Sequence, residues 1–403
     1  MSVRSRGAVT APLGFRASSG SAGIKESGRP DLALIASDRD AVAAGVFTTN
    51  RVKAAPVLWS QAVVGSRRPV RAVLINSGNA NACTGPAGRR AVRQCAAALS
   101  RAAGIDAREI LIASTGVIGV PLPVEHLTRA IPALAVRLRH SQAAGAGAAR
   151  AILTTDTRPK ECAARAHVRG RTYRVGGMAK GAGMIHPQMA TLLGVLTTDA
   201  PLGRGQARRI LAEAVASTLN AISIDGDTST NDCVLLLANG AAGGRIPPGS
   251  PGERRVGAAI TEVCAALARM VARDGEGARK LLSVTVRNAR SSDEARTVAR
   301  AIASSSLVKA AVHGGDPNWG RVFAAAGRAG VPLRVEHMAL HIGGHLVAEA
   351  GAAVPGHERN AAGHLRRRTV EMTLSIGRGR ATGTALGCDL SPEYVAINAE
   401  YRT

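Results

Sequence analysis

Apolar positions recur along this chain at two periods, and stretches of each alternate from one end to the other. Residues 71–85, RAVLINSGNANACTG, and 109–119, EILIASTGVIG, are apolar runs that break into Gly-rich turns, which predicts strands. Residues 89–104, RRAVRQCAAALSRAAG, space their apolar positions as an amphipathic helix stopped by Gly104. Helical spacing returns over 123–138, with Pro132 as a kink, and over 205–220 and 254–275. Strands are predicted over 280–289, 370–377 and 383–390, and a last helix or turn over 392–402. Interleaved helices and strands with no internal repeat place the chain in the α/β or α+β class with a covered sheet. Segments 1–8, 140–150 (HSQAAGAGAAR) and 243–254 (GGRIPPGSPGER) are expected to be low in order.

One further strand stands apart. It starts at Thr191, runs apolar through Leu192, Leu193, Val195 and Leu196, and is approached through GGMAKGAGMIHPQM, residues 176–189. A strand that only packs rarely needs so free an approach.

Length and composition narrow the picture. A chain of 403 residues, 46% of them hydrophobic, suits two to three domains or one large domain with a lobe. No apolar run approaches the ~20 residues of a membrane-spanning helix. The N-terminus has two Arg but no apolar stretch after them, so a secretory signal is not predicted. The six Cys are scattered without a C-x-x-C pair, which reads as reduced thiols of a cytoplasmic protein rather than staples or a zinc site. The formal charge of +24 comes from Arg, with only six Lys. Charge of this size raises a nucleic-acid binder, but aromatics are 2% of the chain and the Arg are dispersed, which argues against one.

Most catalytic patterns are missing: there is no G-x-S-x-G elbow, no P-loop, no dinucleotide glycine pattern and no H-E-x-x-H. His337, His341 and His345 lie four apart, but Gly343-Gly344 predicts a hairpin between them, so no metal site is expected. What remains is Thr191. A Thr hydroxyl is a weak nucleophile unless the Thr is N-terminal, where its own α-amine takes the proton. Chain cleavage between Ala190 and Thr191 would create that terminus, by attack of the hydroxyl on the Ala190 carbonyl and hydrolysis of the ester. Residue chemistry alone leaves two readings of Thr191, nucleophile or packing residue.

The blocks around Thr191 add a resemblance. GGMAKGAGMIHPQMATLLGVLTTDA resembles the signature of the ornithine acetyltransferase family, also called bifunctional glutamate N-acetyltransferase and amino-acid acetyltransferase. APLGFRASSGSAGIKESGRPDLALI, AAGVFTTNRVKAAPV, NSGNANACTG, LIASTGVIG and ILTTDTRPKE are similar to further family blocks in order. So are SIDGDTSTND, DGEGARKL, VKAAVHGGDPNWGRV and GCDLSPEYVAINAEYRT, so the likeness spans nearly the whole chain. It implies a layered α/β sandwich resembling N-terminal nucleophile enzymes, with a smaller C-terminal lobe. It also implies self-cleavage into chains 1–190 and 191–403 that stay together, two of each forming a heterotetramer. The implied reaction is ping-pong acetyl transfer from N2-acetylornithine to L-glutamate through acetyl-Thr191, giving ornithine and N-acetylglutamate in arginine biosynthesis. No cofactor is implied, though acetyl-CoA is a co-substrate of some members.

Carried over residue by residue, the resemblance assigns Thr115 and Gly116 to an oxyanion hole, which for acyl transfer is a dominant rate factor. By itself that STG reads as an ordinary turn. Lys180, a rare Lys, and Thr154, Glu276, Asn398 and Thr403 match substrate contacts, with Glu276 suited to a substrate amine. The chain departs from the family at Gln188, where Asn is common, at Ser375, where Asp is common, and at Leu386, where an aromatic is usual. Two other classes stay open: an N-terminal-nucleophile amidohydrolase or aminopeptidase with water as acceptor, and a basic non-catalytic binder.

Overall fold

The computed structural model describes residues 8–186 and 192–400. In chain order its strands are β1 (Phe15–Gly20), β2 (Leu32–Phe47), β3 (Val70–Asn79), β4 (Ile110–Val117), β5 (Lys160–Val168), β6 (Arg171–Lys180), β7 (Leu193–Thr198) and β8 (Ile222–Ser223). They continue with β9 (Cys233–Ala238), β10 (Leu281–Ala289), β11 (Ala339–Ile342), β12 (His345–Glu349), β13 (Ala352–Ala353), β14 (Thr369–Ser375) and β15 (Ala381–Cys388). Among the described residues these make two sheets. One has eight strands, ordered β4-β3-β2-β9-β7-β6-β5 with β1 beside β2; the other has seven, ordered β13-β12-β11-β14-β10-β15-β8.

The long β2 explains the layers of the first sheet. Its front half, Leu32–Ala36, pairs with β1 and β3, and its back half, Val42–Phe47, pairs with β9. Between them the register with β3 slips after Ala36, where Asp38, Arg39 and Asp40 are exposed. The sheet therefore folds onto itself, and side-chain alternation fills three cores. Ile35, Val73, Ile75, Leu111, Leu193, Val195, Leu235 and Leu237 meet between the two halves. Leu34, Leu74 and Ile112 face outward against helices Gly85–Ala103 and Val124–Val136. On the opposite side Val175, Leu196, Val234 and Leu236 face helices Arg204–Ser217 and Pro251–Arg273. The result is the expected α/β sandwich, four layers deep. The C-terminal lobe is the second sheet with helices Ser292–Ala303, Ser306–Gly314, Trp319–Gly327 and Glu358–Leu365 packed on one face.

Two expectations change. Residues 140–150 are not low in order: helix Gln142–Ala151 starts on Ser141, whose hydroxyl accepts from the Ala144 N–H at 3.2 Å, and buries Ala148, Ala149 and Ala151. The small side chains that look like a linker let this helix sit close to β1, with Gly147 against Ser19. Nor are residues 243–254 low in order: Ile246 is buried and its carbonyl accepts from Gln206 Nε2 at 3.1 Å, and Ser250 caps helix Pro251–Arg273. Of segment 1–8, residues 1–7 lie outside the described residues. Elsewhere the patterns hold: Pro132 lies inside its helix, Gly104 caps its helix at φ 66°, and Gly343-Gly344 joins the β11–β12 hairpin. His341 then sits mid-strand and His345 opens β12, and among the described residues no cluster of His, Cys, Asp or Glu is arranged for a metal. No helix among the described residues is long and apolar enough to cross a membrane. Of the thiols, Cys83 is exposed, and burial pushes Cys95, Cys162 and Cys264 up to about 12, which keeps them neutral.

Candidate active site

A cavity of about 210 Å³ opens where the ends of β4, β6 and β7 meet residues 225–232 and the C-terminal helix Pro392–Glu400. Thr115, Gly116, Thr154, Lys180, Glu276 and Asn398 all line it, although they span most of the chain. Leu192 and Leu193 line it too. Ala190, Thr191 and Thr403 lie outside the described residues.

The corner at Thr115-Gly116 is built from two of the quoted blocks. β3 and β4 run parallel, and Gly78 of the first stands opposite Gly116 of the second. Gly116 has φ 127°, a region only Gly enters readily, and a Cβ there would fall on the Gly78 and Asn79 backbone. Asn231, buried, secures the corner from the other side. Its amide donates to the Ala80 carbonyl at 2.6 Å and to the Ser114 carbonyl at 2.9 Å, one bond for each loop. The Thr230 hydroxyl donates to the Asn231 side-chain oxygen at 2.6 Å, which fixes the amide's orientation. The sequence just before Thr115 is thus held by a side chain more than a hundred residues away.

Lys180 ends β6 and points its ammonium at two hydroxyls, Thr154 Oγ1 at 2.6 Å and Thr115 Oγ1 at 3.4 Å. Both hydroxyls accept from it, so each keeps its own proton to donate. Beneath it lies Asp156, fully buried, 3.6 Å from the Lys180 ammonium and 2.6 Å from that of Lys160. Asp156 also accepts from the Gly181 N–H at 2.6 Å and the Thr154 N–H at 3.1 Å. Burial alone would raise this carboxyl, but Lys180, Lys160 and the Gly181 N–H outweigh it and hold it well below the usual carboxylate range. Across the cavity, the Asn398 amide donates to Glu276 Oε2 at 2.9 Å, and Glu276 is itself buried.

The remaining wall is acidic. Asp225 accepts from the Met184 and Ile185 N–H groups at 2.5 and 2.8 Å, and the Ile224 N–H donates to the Ile185 carbonyl at 2.7 Å. The segment before residue 187 is therefore laid against residues 224–225, with Met184 held at φ 54°. Burial raises Asp225 against the pull of those N–H groups, and burial with Asp225 and Glu276 nearby raises the Tyr394 phenol. Burial lowers the imidazole of His186, whose Nδ1 lies 3.1 Å from Ser223 Oγ.

Asp156, Lys160, Asp225, Asn231 and Tyr394 lie inside the quoted blocks, but the blocks assign them no role, because each also works through a partner distant in sequence. Beyond the blocks, scarcity is a signal that reaches some of them. The chain has 28 acidic residues against 52 basic ones, and Lys160 shares with Lys180 the rarity of Lys that singles the latter out.

A model of the ArgJ family matches residues 16–403. The arginine biosynthesis bifunctional protein ArgJ of Symbiobacterium thermophilum is 48% identical over 400 residues, covering 98% of this chain and 99% of that protein. The protein of the same name from Gloeobacter violaceus is 47% identical over 400 residues, covering 98% of each. Among solved structures, the ornithine acetyltransferase of Mycobacterium tuberculosis complexed with ornithine is 47% identical, covering 47% of this chain and 100% of that chain, with a TM-score of 0.44.

Proposed function

The chain belongs to the ArgJ family, and on that premise we propose that it carries acetyl from N2-acetylornithine to L-glutamate through an acetyl-Thr191 intermediate, as an acetyltransferase of arginine biosynthesis. The observation that carries this reading is the single cavity in which a cation, Lys180, and an anion, Glu276, flank a Gly-backed corner of donors, with Leu192 on its wall.

The nucleophile is made first. Thr191 Oγ attacks the Ala190 carbonyl, the C–N bond breaks, and the hydroxyl proton passes to the departing nitrogen. Water then hydrolyses the Ala190 ester, leaving an Ala190 carboxylate and a Thr191 with free amine and hydroxyl. Chains 1–190 and 191–403 stay joined because β6 and β7 are neighbours, Lys180 to Val175 pairing with Leu193 to Thr198, and because β2 pairs with β9. Two copies of each chain form the heterotetramer, and the enzyme works in the cytoplasm. Thr403 joins Asn398 at the substrate.

In the forward half-reaction the Thr191 amine takes the Oγ proton as Oγ adds to the acetyl carbon. The oxyanion is met by the Thr115 hydroxyl and the Gly116 N–H. Collapse expels ornithine, whose amine leaves with the proton. Glutamate then attacks the ester through its own amine, and N-acetylglutamate departs as the Thr191 hydroxyl is regained. Lys180 with Thr154 takes the substrate α-carboxylate, and Glu276, oriented by Asn398, takes the side-chain ammonium of the ornithine half. Acetyl-CoA serves as a second donor, a reading supported by the word bifunctional in the relatives' names. No metal or other cofactor takes part in this scheme.

Mass spectrometry after mixing with N2-acetylornithine alone tests the scheme. One equivalent of ornithine should be released, with one acetyl group on the fragment that starts at Thr191, and glutamate should discharge it. Continuous release of ornithine and acetate without glutamate would instead make the enzyme an amidohydrolase. A second expectation concerns Gly183, which lies directly under the Glu276 carboxylate, so that a Cβ there would overlap it. Gly183→Ala should push Glu276 off Asn398 and raise KM for N2-acetylornithine roughly 10-fold, the scale of one charge-assisted hydrogen bond. Steady-state kinetics with both substrates would show it, and an unchanged KM would take Glu276 out of donor binding.

A further inference from the structure

The two poles of the cavity stand on different parts of the fold. Lys180 is the last residue of β6, and Glu276 lies in the turn that follows helix Pro251–Arg273. A backbone bond joins them at one point, from the Glu276 N–H to the Ala182 carbonyl at 2.9 Å. A second link is made of charge. Lys160 opens β5 opposite Ala179 and is 1% exposed. Its ammonium donates to Asp156 Oδ1 at 2.6 Å, to Asp274 Oδ2 at 2.5 Å and to the Arg158 carbonyl at 3.3 Å. Asp274 caps the helix just before Glu276, its N–H donating to the Met270 and Val271 carbonyls at 3.1 Å, and its carboxylate also accepts from the Thr157 and Arg158 N–H groups. Ammonium and carboxylate therefore alternate through the interior, from Lys180 to Asp156, Lys160 and Asp274.

We propose that Lys160 is a positioning residue: a buried strut, tied to Asp156 on one side and Asp274 on the other, that sets the spacing between Lys180 and Glu276 and so the length of diamino acid the enzyme accepts. The inference rests on the roles of Lys180 and Glu276 given above. The strut acts because, among the described residues, Lys160 is the cation that pairs with both carboxylates. Without the Lys160 charge, Asp156 and Asp274 repel one another, and the turn carrying Glu276 is held beside β6 only by the Ala182 bond and by the bonds of Asp274 to residues 157–158. The Lys180 ammonium, 3.6 Å away, is then left as the nearest counter-charge of Asp156, which competes with a substrate carboxylate. Lys160 itself touches no substrate.

Chain-length preference is a readout that mere destabilisation does not move. One methylene in a shaped pocket is worth about 10–200-fold in kcat/KM. The wild-type enzyme should show a preference of that order for N2-acetylornithine over N2-acetyl-2,4-diaminobutyrate, one methylene shorter, and N2-acetyllysine, one longer. In Lys160→Met the preference should shrink to a few-fold, with KM rising more than kcat falls. Asp274→Asn, which keeps its size and its acceptor oxygen, covers the case in which Lys160→Met does not fold, and it should shrink the preference in the same direction. Either folded variant with an undiminished preference overturns the inference. A wild-type enzyme that transfers no acetyl at all overturns the function instead, so the two failures are told apart.

Discussion

Thr191→Ala should leave the purified protein as one uncut chain of 403 residues with no acetyl transfer, whereas the wild type gives two fragments, the second beginning at Thr191. One hydroxyl serves both events. In the proposed scheme it breaks the peptide bond before it, and the terminus so created supplies an α-amine that titrates at ~7.7–8.0, where a good share is neutral and ready to accept a proton. Removing a nucleophile of this kind costs on the order of 10⁶ in kcat. Thr191→Ser keeps the hydroxyl and should retain partial cleavage and partial transfer, which separates the chemistry from any disturbance of the apolar run that follows. A denaturing gel with N-terminal sequencing, alongside a glutamate-dependent assay of ornithine release, reads both events. An uncut wild-type chain with full activity would remove Thr191 from the mechanism.

The next largest loss is expected from Gly116→Ala. The added Cβ would fall on the Gly78 carbonyl carbon and the Asn79 nitrogen, which are backbone and cannot swing aside, and φ 127° is strained for any L side chain. The β3–β4 corner must open, which turns the Gly116 N–H away from the cavity. Loss of one oxyanion donor lowers kcat by about 10²–10³. KM should change by only a few-fold, because Lys180 and Glu276 are mounted elsewhere. Backbone strain should also lower stability by about 1–3 kcal/mol, visible as a shift in the denaturant midpoint. Thr115→Val isolates the hydroxyl without strain and should lower kcat while leaving the midpoint near wild type. Wild-type kcat in both variants would place the oxyanion at another part of the cavity.

The two variants illustrate how differently parts of this site can be read. Thr191 and Thr115-Gly116 lie in contiguous blocks, GGMAKGAGMIHPQMATLLGVLTTDA and LIASTGVIG, and a block is legible because its neighbours carry the same message. Asn231 also lies in a block, SIDGDTSTND, but its neighbours there do not tell its role. Its importance lies in two carbonyls, of Ala80 and Ser114, that reach it only because β2 bends and brings β9 beside β7. Helix Gln142–Ala151 is a failure of the opposite kind. Composition suggested a segment low in order, but small side chains are what close packing on β1 requires, so tertiary contact overrides the weak local signal.

The sequence by itself determined the alternation of strands and helices, the family, the nucleophile block and the rarity of Lys180, since all of these are patterns of near neighbours. Its blocks also hold Thr115, Gly116, Thr154, Lys180, Glu276 and Asn398, which the fold brings to one cavity. Only the tertiary structure decided that Asp156, Lys160 and Asp274 form one buried run of charge, that Asn231 secures the Thr115-Gly116 corner, and that Asp225 holds the approach at Met184 and Ile185. The reason is physical. A buried charge or amide is tolerable only with partners in place, and those partners lie on elements far apart along the chain, so their pairing exists only once the sheets have folded together.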